Sequence, residues 1–223
     1  MSVRVYIPGD SSALSVGADK VAQAIEDGAR SRGLDIEIIR NGSRGLFWLE
    51  PLVEVETPEG RVAYGPINAD EVESLFTADF LNGGRHPKLL GDIEQLPYLK
   101  QQQRLLFQRC GVTEPLSIED YRRHDGLRGI QRAIEIGPKA IVEEVIASGL
   151  RGRGGAGFPT GVKWRTVAGV EADQKYIVCN ADEGDSGTFA DRMLMEGDPF
   201  ALIEGMAIAA LKVRNACGYS ERI

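Results

Sequence analysis

The sequence has few cysteines, and they are scattered along the chain. Cys110, Cys179 and Cys217 are the three cysteines among 223 residues, and no C-x-x-C or similar ligand spacing joins them. Because a disulfide framework or an iron–sulfur cluster needs grouped cysteines, we expect isolated thiols. The cysteines therefore predict no self-sufficient iron–sulfur cluster in this stretch.

Excess positive charge and long apolar runs are also missing. Lys and Arg number 26 against 33 Asp and Glu, a formal net charge of −7, which argues against nucleic acid or an anionic membrane as the partner. No apolar run approaches the roughly 18 residues of a spanning helix. The amino terminus MSVRVYIPGD lacks the basic-then-apolar pattern of a signal peptide. We therefore expect a cytoplasmic protein whose partners are small molecules and proteins.

Residues 1–100 show the order strand, helix, strand, hairpin, helix. The periodicity predicts these elements at Val3–Ile7, Leu14–Arg30, Ile36–Arg40, a β-hairpin of Leu46–Glu56 and Arg61–Tyr64, and Glu71–Phe80 with Asn68 or Asp70 as its cap. This order fits a small α/β sandwich such as a thioredoxin-like domain, although other α/β folds accommodate it.

The remaining sequence predicts a helical connector over residues 101–137 and a second α/β part over residues 138–223. Ser117 and Asp120 have capping-box spacing in the connector. Pro138 suits a helix start, and Gly149 suits its end. Beyond the glycine-rich run, the sequence predicts a buried strand at Lys175–Cys179, a polar loop at Asn180–Asp191 and an apolar, buried helix at Leu202–Leu211.

Six glycines lie within the thirteen positions from Gly149 to Gly161. Glycine lets backbone N–H groups approach a ligand closely, and Arg151, Arg153 and Lys163 add positive charge, so an anionic ligand such as a phosphate is favoured over a flexible linker. The spacing G-x-G-x-x-G is present, but the Rossmann fingerprint needs a strand before it and a helix after it, and we expect neither. The Walker pattern fails because Lys163 is followed by Trp164.

A second group of polar residues runs from Asn180 to Arg192. A buried flavin needs acceptors for its pyrimidine N–H and its ribityl hydroxyls, which Asn180, Asp182 or Glu183 can supply. A divalent-cation loop formed by Asp182, Glu183 and Asp185 is the competing functional interpretation. A solvated acidic turn is the third.

The two motifs GLRGRGGAGFPTGVKW and KYIVCNADEGDSGTFADR resemble the flavin-binding signature of the NADH-oxidising flavoprotein subunits of respiratory complex I and their soluble relatives. The form EGDSGTFADRM most resembles the beta subunit of cytosolic NAD-dependent formate dehydrogenase, followed by the diaphorase subunit of NAD-reducing hydrogenase. The resemblance covers residues 105–205. The first hundred residues resemble the thioredoxin-like extension of the formate dehydrogenase subunit, without cluster-ligating cysteines, which implies a docking or structural role.

The resemblance implies roles for particular residues. It assigns the FMN phosphate and ring to Gly152, Arg153, Gly154, Gly155 and Lys163. It assigns the ribityl chain and isoalloxazine edge to Asn180, Asp182 and Glu183. It places Phe158 and Asp185 near the nicotinamide, although Asp185 stands where complex I commonly has Glu and Ser186 where proline is common.

The function implied is an FMN- and NAD-dependent electron-transfer subunit of a soluble formate dehydrogenase. Hydride would pass between NAD(H) and FMN and electrons to or from iron–sulfur clusters, with molybdenum- or hydrogenase-type partner subunits. No side chain is expected to act as acid or base. The resemblance also implies that a [4Fe-4S] domain and the remaining flavin contacts follow beyond this chain, so we expect the chain alone to be inactive.

Other functions remain open at this point. The same residues fit the equivalent subunit of NAD-reducing hydrogenase or complex I. They also fit a truncated, non-catalytic assembly module whose flavin site stays empty, and a metal-dependent phosphate-binding enzyme ranks well below these. His86 and His124 have no catalytic partner in the sequence and are predicted to be structural or exposed.

Overall fold

The structure is a computed structural model, and it describes residues 2–153 and 155–214. Two compact units divide the chain. The first, the sheet unit, comprises the residues up to His124 together with Glu183–Pro199. The second, the loop unit, comprises Asp125–Asp182 and the residues from Phe200 onward. None of the helices in the described residues is both long and apolar enough to span a membrane.

The sheet unit is built on five strands in the order β2-β1-β3-β4-β5. The strands are β1 (Val3–Tyr6), β2 (Ile36–Ile39), β3 (Val53–Thr57), β4 (Gly60–Tyr64) and β5 (Leu89–Asp92). β1 and β2 are parallel, and β3, β4 and β5 are antiparallel to their neighbours. This is the strand order of a thioredoxin-like sheet with an added edge strand, so the predicted α/β class is confirmed.

The helices of the sheet unit connect and flank these strands. They are α1 (Ser11–Ser15), α2 (Ala18–Ser31), α3 (Val72–Thr77), α4 (Pro97–Lys100), α5 (Ile118–Arg123) and, from the later segment, α8 (Ala190–Gly197). The predicted single helix Leu14–Arg30 is therefore wrong in its start, because Gly17 with φ of 99° separates α1 from α2. The predicted cap is confirmed, since Asn68 and Glu71 form a reciprocal capping box.

The core of the sheet unit lies between α2, α3 and one face of the sheet. Val21 and Ile25 project from α2 onto Val5 and Val55 of the sheet, and these side chains are at most 1% exposed. Val21 and Ile25 are four positions apart, the spacing that buries one side of a helix, and Val5 and Val55 are paired on neighbouring strands. Burial of these side chains is the main stabilising contribution to this unit.

The other face of the sheet carries a buried ion pair. Arg44 donates through Nε and Nη2 to the two carboxylate oxygens of Glu54, at 2.6 and 3.0 Å. The Arg44 side chain is 2% exposed and that of Glu54 is fully buried. Arg44 also pairs with Glu94 at 2.8 Å, and Glu54 with Arg61 at 3.5 Å. This group of charges ties the loop after β2 to β3.

The regular secondary structure in the described part of the loop unit is helical. Its helices are α6 (Arg128–Ala147), α7 (Thr160–Gly169) and α9 (Pro199–Arg214). Gly137 has a non-helical φ of 74° inside α6, so Pro138 begins the second half of that helix as the sequence predicts. α9 confirms the predicted helix Leu202–Leu211, but its apolar face is only half-buried, and Ile203 is 59% exposed.

The predicted buried strand Lys175–Cys179 is wrong. This segment has no regular secondary structure, and Tyr176 and Val178 are 74% and 84% exposed. A strand needs a neighbour to satisfy its backbone groups, and no described residue forms a strand pair with this segment. The Rossmann-like sheet expected for residues 138–223 therefore has no strand among the described residues of the loop unit.

Candidate flavin site

The glycine loop, residues 149–159, leaves the end of α6 and leads into α7. An antiparallel bridge between Arg151 and Pro159 closes it. The Gly152 N–H donates to the Phe158 carbonyl at 2.9 Å, and the Thr160 N–H donates to the Leu150 carbonyl at 2.9 Å. The loop is therefore a folded hairpin-like turn and not an extended linker.

Two glycines of the loop adopt conformations that other residues rarely take. Gly155 and Gly157 have φ of 97° and 59°, values that strain a side-chain-bearing residue. A Cβ on either would meet no heavy atom within 4 Å, so open space lies beside the backbone here. This geometry leaves the backbone accessible to a ligand, which is the property that the sequence predicts. Gly154 lies outside the described residues.

Cationic side chains surround the glycine loop. Arg151 donates to the Gly157 carbonyl at 2.9 Å, and Arg153 donates to the Arg151 carbonyl at 3.0 Å. Both residues are exposed, and each guanidinium has five N–H donors, so donors remain for an anion. Lys163 is exposed in the first turns of α7. Phe158 is 55% exposed beside this charge.

The start of α7 adds a second attraction for an anion. Pro159 occupies the N-cap position and makes no side-chain cap hydrogen bond. The Thr160 N–H is used within the loop, but the helix dipole is positive at this end and favours negative charge. The expectation that no helix follows the glycine run is wrong, since α7 begins directly after Pro159.

Close packing fixes α7 against α6. Gly161 is buried, and a Cβ there would lie 2.5 Å from Ile146 Cγ1 and 2.7 Å from the Ile146 nitrogen. Arg165 reinforces the contact with an ion pair to Glu143 at 3.0 Å. Gly161 therefore has a packing reason for being glycine, and the contact sets where Lys163 lies relative to the loop.

The predicted acidic residues divide between the two units. Asn180 and Asp182 belong to the loop unit, where both are exposed and the Asn180 Oδ1 accepts the Asp182 N–H at 3.1 Å. Glu183 and Asp185 belong to the sheet unit. Asp185 is exposed, whereas Glu183 has φ of 48° and binds backbone groups that follow it in the chain.

Glu183 has a structural role that the sequence alone does not reveal. Its two carboxylate oxygens accept the backbone N–H groups of Asp191 and Arg192, each at 3.1 Å. These are first-turn donors of α8, so Glu183 caps that helix from a position well before its start.

Among residues 2–153 and 155–214, no group of three metal-ligating side chains lies close enough together to hold an ion.

α7 is the element that the sequence prediction missed. Glycine is a poor helix former, and Gly161 and Gly169 lie at its two ends, so the composition suggested a loop. The signal was Pro159, because proline is favoured at a helix N-terminus.

Residues 145–219 match the family described as the Nuo51 FMN-binding domain. This range contains the glycine loop, α7 and the acidic motif. The family description names FMN, the cofactor that the sequence analysis assigns to these residues.

Three relatives show how far the likeness extends. A component of the NADP-reducing hydrogenase of Solidesulfovibrio fructosivorans is 49% identical over 51% of this chain and 23% of its own length. A component of the NADH-quinone oxidoreductase of Rhizobium meliloti is 45% identical over 52% of this chain and 28% of its own length. The alpha subunit of the NAD-reducing hydrogenase of Cupriavidus necator is 45% identical over 94% of this chain and 35% of its own length.

The chain spans about a quarter to a third of the length of these relatives. The hydrogenase relative from Cupriavidus necator aligns with almost the whole chain, so the likeness includes the sheet unit. The other two align with about half of it. Residues of this chain thus resemble components of both hydrogenases and NADH-quinone oxidoreductases, and no formate dehydrogenase is among these three.

Proposed function

We propose that this chain carries the phosphate-binding part of an FMN site in an NAD(H)-linked electron-transfer flavoprotein. One observation carries the proposal, namely the exposed, positive-φ glycine loop that leads into the N-terminus of α7 beside Lys163. The loop lies within the residues that match the FMN-binding family. Backbone donors, a helix N-terminus and cationic side chains are the groups that a phosphate monoester requires.

Each predicted residue takes a role in this proposal. Lys163 and Arg153 bind the FMN phosphate, while Gly152, Gly154 and Gly155 keep side chains out of its way. Asn180, Asp182 and Glu183 accept hydrogen bonds from the ribityl chain and the ring edge. Phe158 and Asp185 orient the nicotinamide of NAD(H).

FMN supplies the redox chemistry when bound, because it exchanges a hydride with NAD(H) and single electrons with iron–sulfur centres. The residues of this chain bind and orient it, and none is required to transfer a proton. Arg153 and Lys163 also place positive charge at the proposed FMN site. This charge stabilises the anionic, reduced form of the flavin relative to the oxidised form.

We infer that the assembly is of the hydrogenase or formate dehydrogenase type and acts in the cytoplasm. The motif EGDSGTFADRM supports a formate dehydrogenase, and the 94% coverage by the hydrogenase relative supports an NAD-reducing hydrogenase. Iron–sulfur subunits and a molybdenum- or hydrogenase-type subunit are the partners in this proposal. Affinity purification of the tagged protein from its own cells, with metal analysis, distinguishes the two types of assembly. Molybdenum together with formate-dependent NAD reduction would support a formate dehydrogenase. Nickel together with hydrogen-dependent NAD reduction would support an NAD-reducing hydrogenase.

An FMN titration tests the flavin site itself. The wild-type chain is expected to quench FMN fluorescence, and Lys163→Ala is expected to weaken binding by about tenfold, because one charge-assisted phosphate contact contributes about 1.5 kcal/mol. Lys139→Ala is the matched control, since Lys139 lies on α6 of the same unit, away from the glycine loop in sequence. Equal losses in the two variants would contradict the assignment of Lys163.

A further inference from the structure

The segment that completes the acidic motif is anchored to the amino-terminal sheet. α8 follows Glu183 and Asp185 in sequence, and the whole segment Glu183–Pro199 belongs to the sheet unit. The proposed function explains neither this placement nor the presence of a thioredoxin-like sheet without cluster cysteines. The contacts of α8 indicate why the two occur together.

Polar contacts join α8 to α1. The Ser11 N–H donates to Glu196 Oε2 at 2.8 Å, and the Ser11 hydroxyl donates to Glu196 Oε1 at 2.8 Å. Arg192 Nη2 donates to the Ser12 hydroxyl at 2.5 Å. The Glu196 carboxylate therefore accepts two donors from the first residue of α1, and a charged acceptor makes these bonds stronger than neutral ones.

The end of α8 packs on the loop after β2 without room for a side chain. A Cβ on Gly42 would lie 2.5 Å from the Gly197 Cα, a distance that real contacts do not reach. A Cβ on Gly197 would lie 3.2 Å from Cys110 Sγ. The paired glycines thus let two backbones approach closely, and interiors packed to this density resist displacement.

A buried ion pair holds the residue that follows α8. Arg109 Nε donates to Asp198 Oδ2 at 2.8 Å, with side chains 12% and 1% exposed. Phe189, at the other end of α8, packs edge-to-face on Phe47 with ring centroids 5.9 Å apart. α8 is therefore fixed to the sheet unit at both ends and along its length.

Glu183 is tied to α8 in turn. Its carboxylate binds the N–H groups of Asp191 and Arg192, so its place is set by the helix and through the helix by the sheet unit. Glu183 is also a residue that the proposed function assigns to the flavin. Groups that hold a binding residue in position contribute to affinity without touching the ligand.

We propose that the rest of the sheet unit acts as a positioning element for Glu183, with Glu196, Gly42 and Arg109 as positioning residues. This inference rests on the proposed function. It gives the thioredoxin-like sheet a role that needs no cluster cysteines, because the sheet holds Glu183 in position through α8.

The test uses Glu196→Ala in the full chain, with Glu26→Ala as the matched control. Glu26 is an exposed glutamate on α2 of the same unit, where it pairs with Arg30 of its own helix. Glu196→Ala is expected to weaken FMN binding about threefold to tenfold, and Glu26→Ala to leave it unchanged. Glu196→Gln is expected to restore most of the affinity, because an amide oxygen still accepts the Ser11 N–H.

A second measurement keeps this inference separate from the proposed function. Without FMN, Glu196→Ala is expected to increase hydrogen exchange at the Asp191 and Arg192 amides at least about threefold, as followed by NMR. Unchanged exchange at these amides would overturn the inference, whatever FMN does. Wild-type binding that Lys163→Ala weakens and Glu196→Ala does not would overturn the inference alone, whereas no wild-type binding would overturn the proposed function.

Discussion

The two units of the chain differ in how they use their apolar residues. The sheet unit buries a continuous core cluster against α2 and α3 and packs further side chains behind the sheet. In the described part of the loop unit, the buried apolar side chains are Ala133, Ile141 and Val142. The loop unit instead presents glycines and cations to solvent. The difference suggests that the sheet unit provides stability, whereas the loop unit provides the phosphate contacts of the proposed site.

The largest expected effect is on the free energy of unfolding, when an isoleucine is replaced by alanine in one unit or in the other. Ile25→Ala should lower the free energy of unfolding by about 2–5 kcal/mol, because the side chain is fully buried in the sheet-unit core. Ile134→Ala on α6 should cost well under about 1 kcal/mol by comparison, since Ile134 is 66% exposed. Urea denaturation followed by circular dichroism measures both. Equal costs would show that the contrast in burial has no energetic counterpart.

A buried carboxyl group makes the stability of the sheet unit depend on pH. Burial raises the pKa of Glu50 to about 7, against hydrogen bonds from the Leu52 N–H and the Ser43 hydroxyl that lower it. The folded state therefore holds this proton more tightly than the unfolded state, so stability falls as the pH rises from about 4.5 to about 7 and is level above that.

Glu50→Gln should remove this dependence. The variant should gain stability relative to the wild type as the pH rises from about 5 to about 8, by at most about 3 kcal/mol at about 1.36 kcal/mol per pKa unit. Chemical denaturation of both proteins across that range provides the measurement. A constant difference between them would mean that the pKa of Glu50 in the folded protein is not raised above its unfolded value.

Two glycines of α7 sharpen the contrast within the loop unit. Gly161→Ala should destabilise α7 by about 1–3 kcal/mol, because the added methyl group overlaps Ile146. Gly169→Ala at the end of the same helix should be neutral or stabilise by up to about 1 kcal/mol, because a Cβ there meets nothing within 4 Å. Trp164 fluorescence reports on α7 in both variants. A loss in Gly169→Ala as large as in Gly161→Ala would contradict the packing at Ile146.

The smallest effect concerns thiol reactivity, which leaves the fold intact. Burial, with help from the Asp198 carboxylate, raises the pKa of Cys110 to about 12, whereas Cys179 is exposed in the loop unit. Because the thiolate is the reactive form, Cys179 should be alkylated at about pH 8 at least about 100-fold faster than Cys110. Peptide mapping by mass spectrometry distinguishes them. Comparable rates would mean that the sheet unit opens readily around Cys110.

The sequence predicts much of the sheet unit because its signals are local. Alternation within Leu46–Glu56 and Arg61–Tyr64 around a Pro-Glu-Gly turn predicts the hairpin. The predicted first strand is wrong at its start, because Phe47–Leu49 form a 3-10 helix and β3 begins at Val53. The cap at Asn68 is likewise a matter of four adjacent residues. These patterns act over short distances, so the chain need not be folded to interpret them.

The candidate site is predictable only in part. Composition alone identifies the glycine loop and its cations, but not the helix at Thr160–Gly169, because glycine masks its propensity. The place of α8 is beyond any local pattern, since Ser11 and Glu196 are 185 residues apart in sequence. Lys175–Cys179 shows the opposite error, where a strand-like composition finds no pairing partner among the described residues.

Hydrogen exchange with and without FMN tests the central account most directly. We expect FMN to slow exchange at the amides of residues 149–164, and to leave those of β1 and β3 in the sheet-unit core unchanged. Protection confined to the glycine loop and the start of α7 would support a flavin site formed there. Unchanged exchange at the loop under FMN concentrations that quench its fluorescence, or protection confined to the sheet core, would contradict the account.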